Sequence, residues 1–250
     1  TGLTPGNSSL YMIGCVYFKE DCWHYIQWLA ENYEDELQVL SAFASFAEDY
    51  SFIIHYNGNR FDLPYLTKKF EQFELAFQFD KFDGVDIYKR ISGYKDLLGL
   101  ADVKQKTVED FLGLERDDRY TGGELISVYH DYVCTRDEKL LTELILHNRE
   151  DLKGMLYVVN MLAYPDMFLN PIRVMGVKAN YYDDIQKKRC QEIIMKLRFL
   201  APFPKPISFR GLGCYFSGSG IDGALKVPLY EEEMKYFYSN YRDYYYLPAE

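Results

Sequence analysis

The sequence has five cysteines (Cys15, Cys22, Cys134, Cys190, Cys214), an odd number, with no C-x-x-C pair among them. That argues against a zinc ribbon or a disulfide scaffold and fits a reducing compartment, so a cytoplasmic setting is expected. The four histidines (His24, His55, His130, His147) are too dispersed for an H-E-x-x-H metal site. No apolar run approaches the roughly 20 residues of a membrane span, so no membrane partner is expected. The opening also lacks the basic-then-apolar order of a signal peptide. Positive charge is short: the net charge is −10, which argues against a broad basic face for nucleic acid. Any nucleic-acid chemistry must then use a local site, and carboxylates gathered around metal ions are one such arrangement. No internal repeat or low-complexity tract is present. What remains is a chain of 250 residues, 48% hydrophobic and 26% charged, enough for a main globular domain with an appendage.

The pattern of residues gives an alternating α/β order. Leu10 to Phe18 and Cys22 to Trp28 are rich in β-branched and aromatic residues and flank Lys19-Glu20-Asp21, a β-hairpin signal. Leu37, Leu40, Phe43, Phe46 and Ala47 recur at helical spacing within 34–50. Phe52-Ile53-Ile54 is a short continuous apolar run that suits a buried strand. Gly58-Asn59 then turns the chain, and Pro64 marks the start of a helix over 62–73. A strand is expected around Val85-Asp86-Ile87, and helices over 107–112 (ended by Gly113), from Gly122-Gly123 through Tyr132, and over 138–163. Leu140, Leu141, Leu144, Ile145, Leu152, Met155 and Leu156 of the longest helix should face inward, and Tyr164-Pro165-Asp166 should end it. Beyond it, 190–199, 207–216 and 221–229 read as strands between Pro- and Gly-rich turns, with a short helix over 231–241. The expected organisation is a main domain over 1–166 and a small antiparallel β-rich extension over 167–250.

Three places could carry chemistry. Asn57-Gly58-Asn59-Arg60-Phe61-Asp62 follows the apolar strand directly, where α/β folds place ligands. Asp62 by itself reads most simply as an N-cap ahead of Pro64. His147 and Asp151 are four apart and share one helix face, which suits a proton acceptor and a metal ligand but equally a surface ion pair. Thr1-Gly2-Leu3 opens the chain with turn chemistry, by itself a frayed terminus, and the first residue is not Met. Both that opening and the end at Tyr244 to Glu250 read as cuts in a longer protein.

Together these three segments resemble the DEDD superfamily of 3′–5′ exonucleases, of ribonuclease H-like fold, and within it the YprB-like domains. The family's first motif, D-x-E-T-T-G-L, is matched in its last three letters by Thr1-Gly2-Leu3. Its second, Asn-x-x-x-Phe-Asp, appears as Asn57 to Asp62. Its third, an aromatic or His and then an Asp on one helix face, appears as His147 and Asp151. His147 stands at a three-residue gap that family members usually fill with Tyr, and Leu152 occupies the place a four-residue gap would use. Val85-Asp86-Ile87 and Val108 to Leu114 resemble further landmarks, so the likeness spans 1–163.

The resemblance implies a ribonuclease H-like mixed sheet flanked by helices, with the β appendage following. It implies two divalent ions, Mg²⁺ or Mn²⁺ given the oxygen-rich donors. Their ligands would be Asp62, Asp151 and an Asp and Glu lying within the four positions before Thr1. A chain beginning at Thr1 is therefore expected to lack the family's central strand and to be inactive by itself. His147 would orient or deprotonate the attacking water. Thr1, Gly2 and Leu3 would contact the terminal nucleotide of a single-stranded DNA or RNA 3′ end, and Asn57, Phe61 and Tyr65 would line the groove beside it. The Tyr-rich stretch from Tyr230 to Tyr246 could stack on bases, although packing against the main domain is the simpler expectation. Two other readings remain: a non-catalytic nucleic-acid-binding or scaffold module of the same fold, and a structure-specific endonuclease.

Overall fold

The computed structural model describes residues 8–117 and 119–229. Strands β1 (Met12–Lys19) and β2 (Cys22–Leu29) form an antiparallel hairpin in which Lys19 pairs Cys22 and Met12 pairs Leu29. Glu20 and Asp21 both have positive φ, 54° and 60°, the backbone that matches the twist of a two-residue turn. Helix α1 (Glu36–Ala47) lays Val39, Leu40, Phe43 and Ala47 against this hairpin, with the Trp28 ring 6.0 Å from Phe43 and 5.1 Å from Phe46. Leu37, expected to face inward, is exposed. Glu36 is buried instead, accepting from the Leu10 amide at 2.7 Å and from Lys69 Nζ at 2.8 Å. A buried charge requires such a partner, and this one ties the start of the described chain to two helices.

The next unit is βαβ. Strand β3 (Phe52–His55) pairs in parallel with β4 (Asp83–Asp86), and helix α2 (Asp62–Gln72) connects them. β3 was expected to be buried, yet Phe52 and Ile54 are exposed. Among the described residues the strand has one neighbour, and it alternates faces, so that only the side bearing Ile53 and His55 is covered. Among the described residues no ladder joins the β1–β2 pair to the β3–β4 pair.

Helices α3 (Ile87–Ile91), α4 (Gln105–Leu112) and α5 (Glu124–Thr135) follow, and Gly113 ends α4 in the left-handed conformation (φ 81°) that favours glycine. The long helix α6 (Glu138–Val158) gives way to a 3-10 turn over Val159–Leu162 and then α7 (Ala163–Leu169). Tyr164-Pro165-Asp166 thus lies inside a helix rather than ending one. Pro165 sits in the first turn of α7, where its missing N–H breaks no bond. On α6, Leu144 and Leu152 are buried, Leu140, Leu141, Met155 and Leu156 are half-buried, and Ile145 is exposed against expectation.

The chain closes its described part with an antiparallel sheet in the order β5 (Arg173–Asp183), β6 (Arg189–Gly211), β7 (Cys214–Leu229). β5 was not anticipated, because it is an edge strand exposed on both faces and carries no burial pattern. The expected strand at 190–199 and the first half of that at 207–216 are instead one long β6, and the rest of 207–216 is a turn and the start of β7, which continues through the expected strand at 221–229. Pro202, Pro204 and Pro206 are absorbed by register shifts between Arg198 and Ile207, and the chain reverses at Leu212-Gly213. Leu197, Phe199, Phe203, Ile207 and Phe216 of this sheet share one core with α3, α4, α7 and the end of α6. The rings of Tyr164 and Phe203 stack at 5.7 Å, and the Tyr164 hydroxyl donates to the Lys205 carbonyl at 2.9 Å. The expected helix over 231–241 lies outside the described residues. Among the described residues no helix is long and apolar enough to cross a membrane.

Candidate active site

The segment from His55 to Asp62 turns the chain sharply at the end of β3. The Gly58 amide donates to His55 Nδ1 at 3.1 Å, and the Asn57 amide to Asp86 Oδ1 at 2.9 Å. Asn57 takes a positive φ of 58°, which Asn tolerates better than most residues. Gly58 cannot be larger, since a Cβ there would lie 2.8 Å from His55 Nδ1. Because His55 Nδ1 accepts a hydrogen bond, its 3.7 Å approach to Asp86 Oδ2 is a contact between acceptors unless the ring is protonated. Burial lowers the His55 pKa below its ordinary value, against the pull of Asp86 and Asp62, so the neutral ring with its proton on Nε2 is favoured.

This turn delivers Asp62 as the first residue of α2. The N-cap position is Phe61, so Asp62 stands at the first helical position, where its carboxylate accepts from its own backbone amide. Its pKa is raised, chiefly because the surrounding protein desolvates it, and the negative charge of Asp151 pushes the same way while His55 opposes both. Asp62 and Asp151 are therefore near enough to repel.

Helix α6 supplies the other side. His147 Nε2 lies 3.4 Å from Asp151 Oδ2, one helical turn along the same face. Asp151 Oδ1 is 2.7 Å from the Arg116 guanidinium, whose other nitrogen is 2.9 Å from Glu109 Oε2. Glu109, on α4, is fully buried, and its second oxygen accepts from Gln105 Nε2 at 2.8 Å. Gln105 also donates to the Asp151 carbonyl at 3.0 Å. α4 can approach α6 this closely because Gly154 lacks a Cβ, which would overlap Glu109 Oε1. Tyr11 borders the cluster, and its pKa is pushed up to about 12 by burial and by Asp151.

The expected residues thus divide. His147 and Asp151 are in contact, Asp62 lies within electrostatic reach of Asp151, Asn57 shapes the turn, and Phe61, next to Asp62 in the chain, is 60% exposed. Tyr65, expected in the groove, is buried: three residues after Asp62 it turns inward, and its hydroxyl donates to the Ser8 carbonyl at 3.1 Å. Thr1, Gly2 and Leu3 lie outside the described residues, as does Tyr230 to Tyr246. Arg116 and Tyr11 were not anticipated. A single Arg in a loop carries no sequence signal, and Tyr11 reads as part of a strand. Glu109 and Asp86 stand in landmark segments, but their partners are visible only in three dimensions.

Residues 1–163 match the RNase H superfamily. The chain belongs to that superfamily. No curated protein and no solved structure gives a match. Membership suggests nuclease-like, hydrolytic activity, and the superfamily typically uses divalent metals. Among the described residues no three His, Cys, Asp or Glu side chains gather as a metal cage. Asp62 and Asp151 nonetheless fit a hard divalent ion: both offer accessible carboxylate oxygens, and a cation would relieve the repulsion that Asp151 adds at Asp62.

Proposed function

We propose that this RNase H superfamily chain is, in its intact form, a metal-dependent 3′–5′ exonuclease of the DEDD type, nearest the YprB-like branch. In this reading residues 1–166 form the catalytic domain and 167–250 a β-rich extension. The observation that carries it is the His147–Asp151 pair of α6 with Asp62, at the head of α2, within electrostatic reach of Asp151. Asp62 and Asp151 would hold Mg²⁺ or Mn²⁺, with two ions in the complete site. When bound, the metal supplies an activated water and charge stabilisation at the leaving 3′ oxygen. His147 would orient or deprotonate the attacking water through Nδ1, the ring nitrogen that does not face Asp151, while Asp151 accepts from Nε2 and stabilises the imidazolium that forms. Arg116 holds Asp151 in place and adds fixed positive charge beside a phosphate. Phe61 offers an exposed ring for a terminal base of single-stranded DNA or RNA.

Hydrolysis of a 5′-labelled single strand with Mg²⁺ or Mn²⁺ tests this. Stepwise shortening from the 3′ end is expected, abolished by Asp62→Asn or Asp151→Asn and slowed about 10²- to 10⁴-fold by His147→Ala. Cleavage indifferent to Asp62→Asn would overturn the assignment, and internal cuts would favour the endonuclease reading. One observation favours a non-catalytic binding module: Arg116 already neutralises Asp151 without a metal. Tight strand binding with no metal-dependent cleavage by the intact protein would decide for it.

A further inference from the structure

We propose that the outer face of the β5–β6–β7 sheet is a binding surface for the backbone of single-stranded nucleic acid, separate from the Asp62–Asp151 cleft. The inference rests on the nuclease reading for its choice of polyanion, but its evidence is independent of that cleft. Charge is segregated along the chain: residues 167–229 carry ten Lys and Arg against four Asp and Glu, net +6, whereas residues 1–166 carry sixteen against twenty-nine, net −13. The overall acidity therefore conceals a basic module.

The register sets which side the charges occupy. Leu197 and Phe199 of β6 point into the shared core, so Lys196 and Arg198 point outward. Cross-strand partners share a face. Lys178 of β5 and Lys226 of β7 flank Ile194, Gly176 and Ala224 flank Lys196, and Arg173 and Asp222 flank Arg198. Five cations thus stand on one face of three strands, against Glu192 and Asp222. Arg198 is paired with Asp222 at 3.0 Å and Lys226 lies 3.9 Å from Glu192. Arg173, Lys178 and Lys196 are exposed, and none of them has an ion pair among the described residues.

The rest of the face suits an extended strand. Side chains two apart on a strand are about 6.7 Å apart, comparable with successive phosphates of an extended chain. Gly176 is open above its backbone and Ala224 is small, which leaves a low floor beside Lys196. A groove running over the bend of the sheet is lined by Met175, Lys196, Arg198, Ser208, Ser217 and Asp222, adding hydroxyl donors to the cations. Tyr182, 41% exposed, lies on the same face as Lys178 and can stack on a base.

Fluorescence anisotropy of a labelled single-stranded oligonucleotide, with the full chain in EDTA, reads this surface without catalysis. Arg173→Gln/Lys178→Gln/Lys196→Gln should weaken binding about 100-fold near 0.1 M salt and lower the salt slope by about 2, taking ~0.7 per lost phosphate contact. If that variant does not fold, Lys178→Gln alone, on the exposed edge strand, should weaken binding about 5-fold. Unchanged affinity and slope in a folded variant would overturn the proposal. So would anionic vesicles bound in preference to the oligonucleotide, or a dimer dissolved by the substitutions while strand binding persists. The two readings fail separately. Sheet-dependent binding without metal-dependent cleavage leaves the surface standing and removes the nuclease. Asp62-dependent cleavage with binding indifferent to the three substitutions does the reverse.

Discussion

Replacing Arg116 with Met tests the core of the candidate site as a piece of protein architecture, apart from any activity. The guanidinium bridges a fully buried Glu109 carboxylate and the half-exposed Asp151. Removing it leaves Glu109, among the described residues, with the Gln105 amide as its hydrogen-bond partner, inside protein and without its ion-pair partner. Breaking a buried pair from one side costs about 3–5 kcal/mol, and the remaining Gln105 bond argues for the lower end, about 3. Loss of the Asp151 contact adds little, because that carboxylate is 43% exposed and water replaces the guanidinium. At about 2–4 °C per kcal/mol for a domain of this size, Tm should fall by roughly 6–12 °C. Urea unfolding should show the same loss as a lower midpoint with an unchanged slope. Glu109→Met combined with Arg116→Met should recover most of it, since no unpaired charge then remains. A single variant costing under about 1 kcal/mol, or a double variant no better than the single, would refute a buried Glu109–Arg116 pair.

Other perturbations probe neighbouring features. His55 resists protonation in the fold, so below pH ~6.5 the unfolded chain binds the extra proton and stability should decline as pH falls; His55→Gln should flatten that decline in urea titrations at successive pH values. Gly154→Ala should lose about 1–3 kcal/mol by overpacking against Glu109, although the same change in an open helix gains ~1, and equal or higher stability would contradict the close α4–α6 approach. The Cys15 thiol, pushed up to about 12 by burial, should be the last to react with a thiol reagent, after the exposed Cys22 and Cys134, as peptide mass mapping would show.

How far the sequence revealed the fold depended on whether a pattern was local. The hairpin over β1 and β2, α1, α2 and the Gly113 stop were legible because alternation, helical spacing and a glycine cap each report over a few residues. β5 was invisible because burial patterning is the signal for a strand, and an edge strand exposed on both faces has none. β6 was broken into pieces because Pro202, Pro204 and Pro206 normally exclude a paired strand. Here the register shifts take up the lost amide donors, and Phe199 and Phe203 still reach the core from either side of Pro202. Pro165 misled for a related reason: its effect depends on its place in the helix, which follows from where the 3-10 turn resets the winding.

The site was half legible, and the missing half changes its electrostatics. Asp62, His147 and Asp151 could be named because motif spacing places them, but spacing does not report what else touches a carboxylate. Glu109, Arg116 and Asp151 span two helices and a loop, and only the close approach permitted at Gly154 makes them one chain of charge. Asp151 is consequently shared between a fixed guanidinium on one oxygen and the His147 ring on the other, while among the described residues Asp62 has no ion pair with Arg or Lys. The two carboxylates are therefore not equivalent. Asp151 is held in place by its partners, whereas the Asp62 carboxyl pKa is raised chiefly by desolvation, with a smaller push from Asp151. A divalent ion entering this cleft would gain most at Asp62 and would have to share Asp151 with Arg116. Residues 1–166 commit two buried cations to internal carboxylates, Arg116 to Glu109 and Lys69 to Glu36, and carry a net charge of −13 against +6 for residues 167–229.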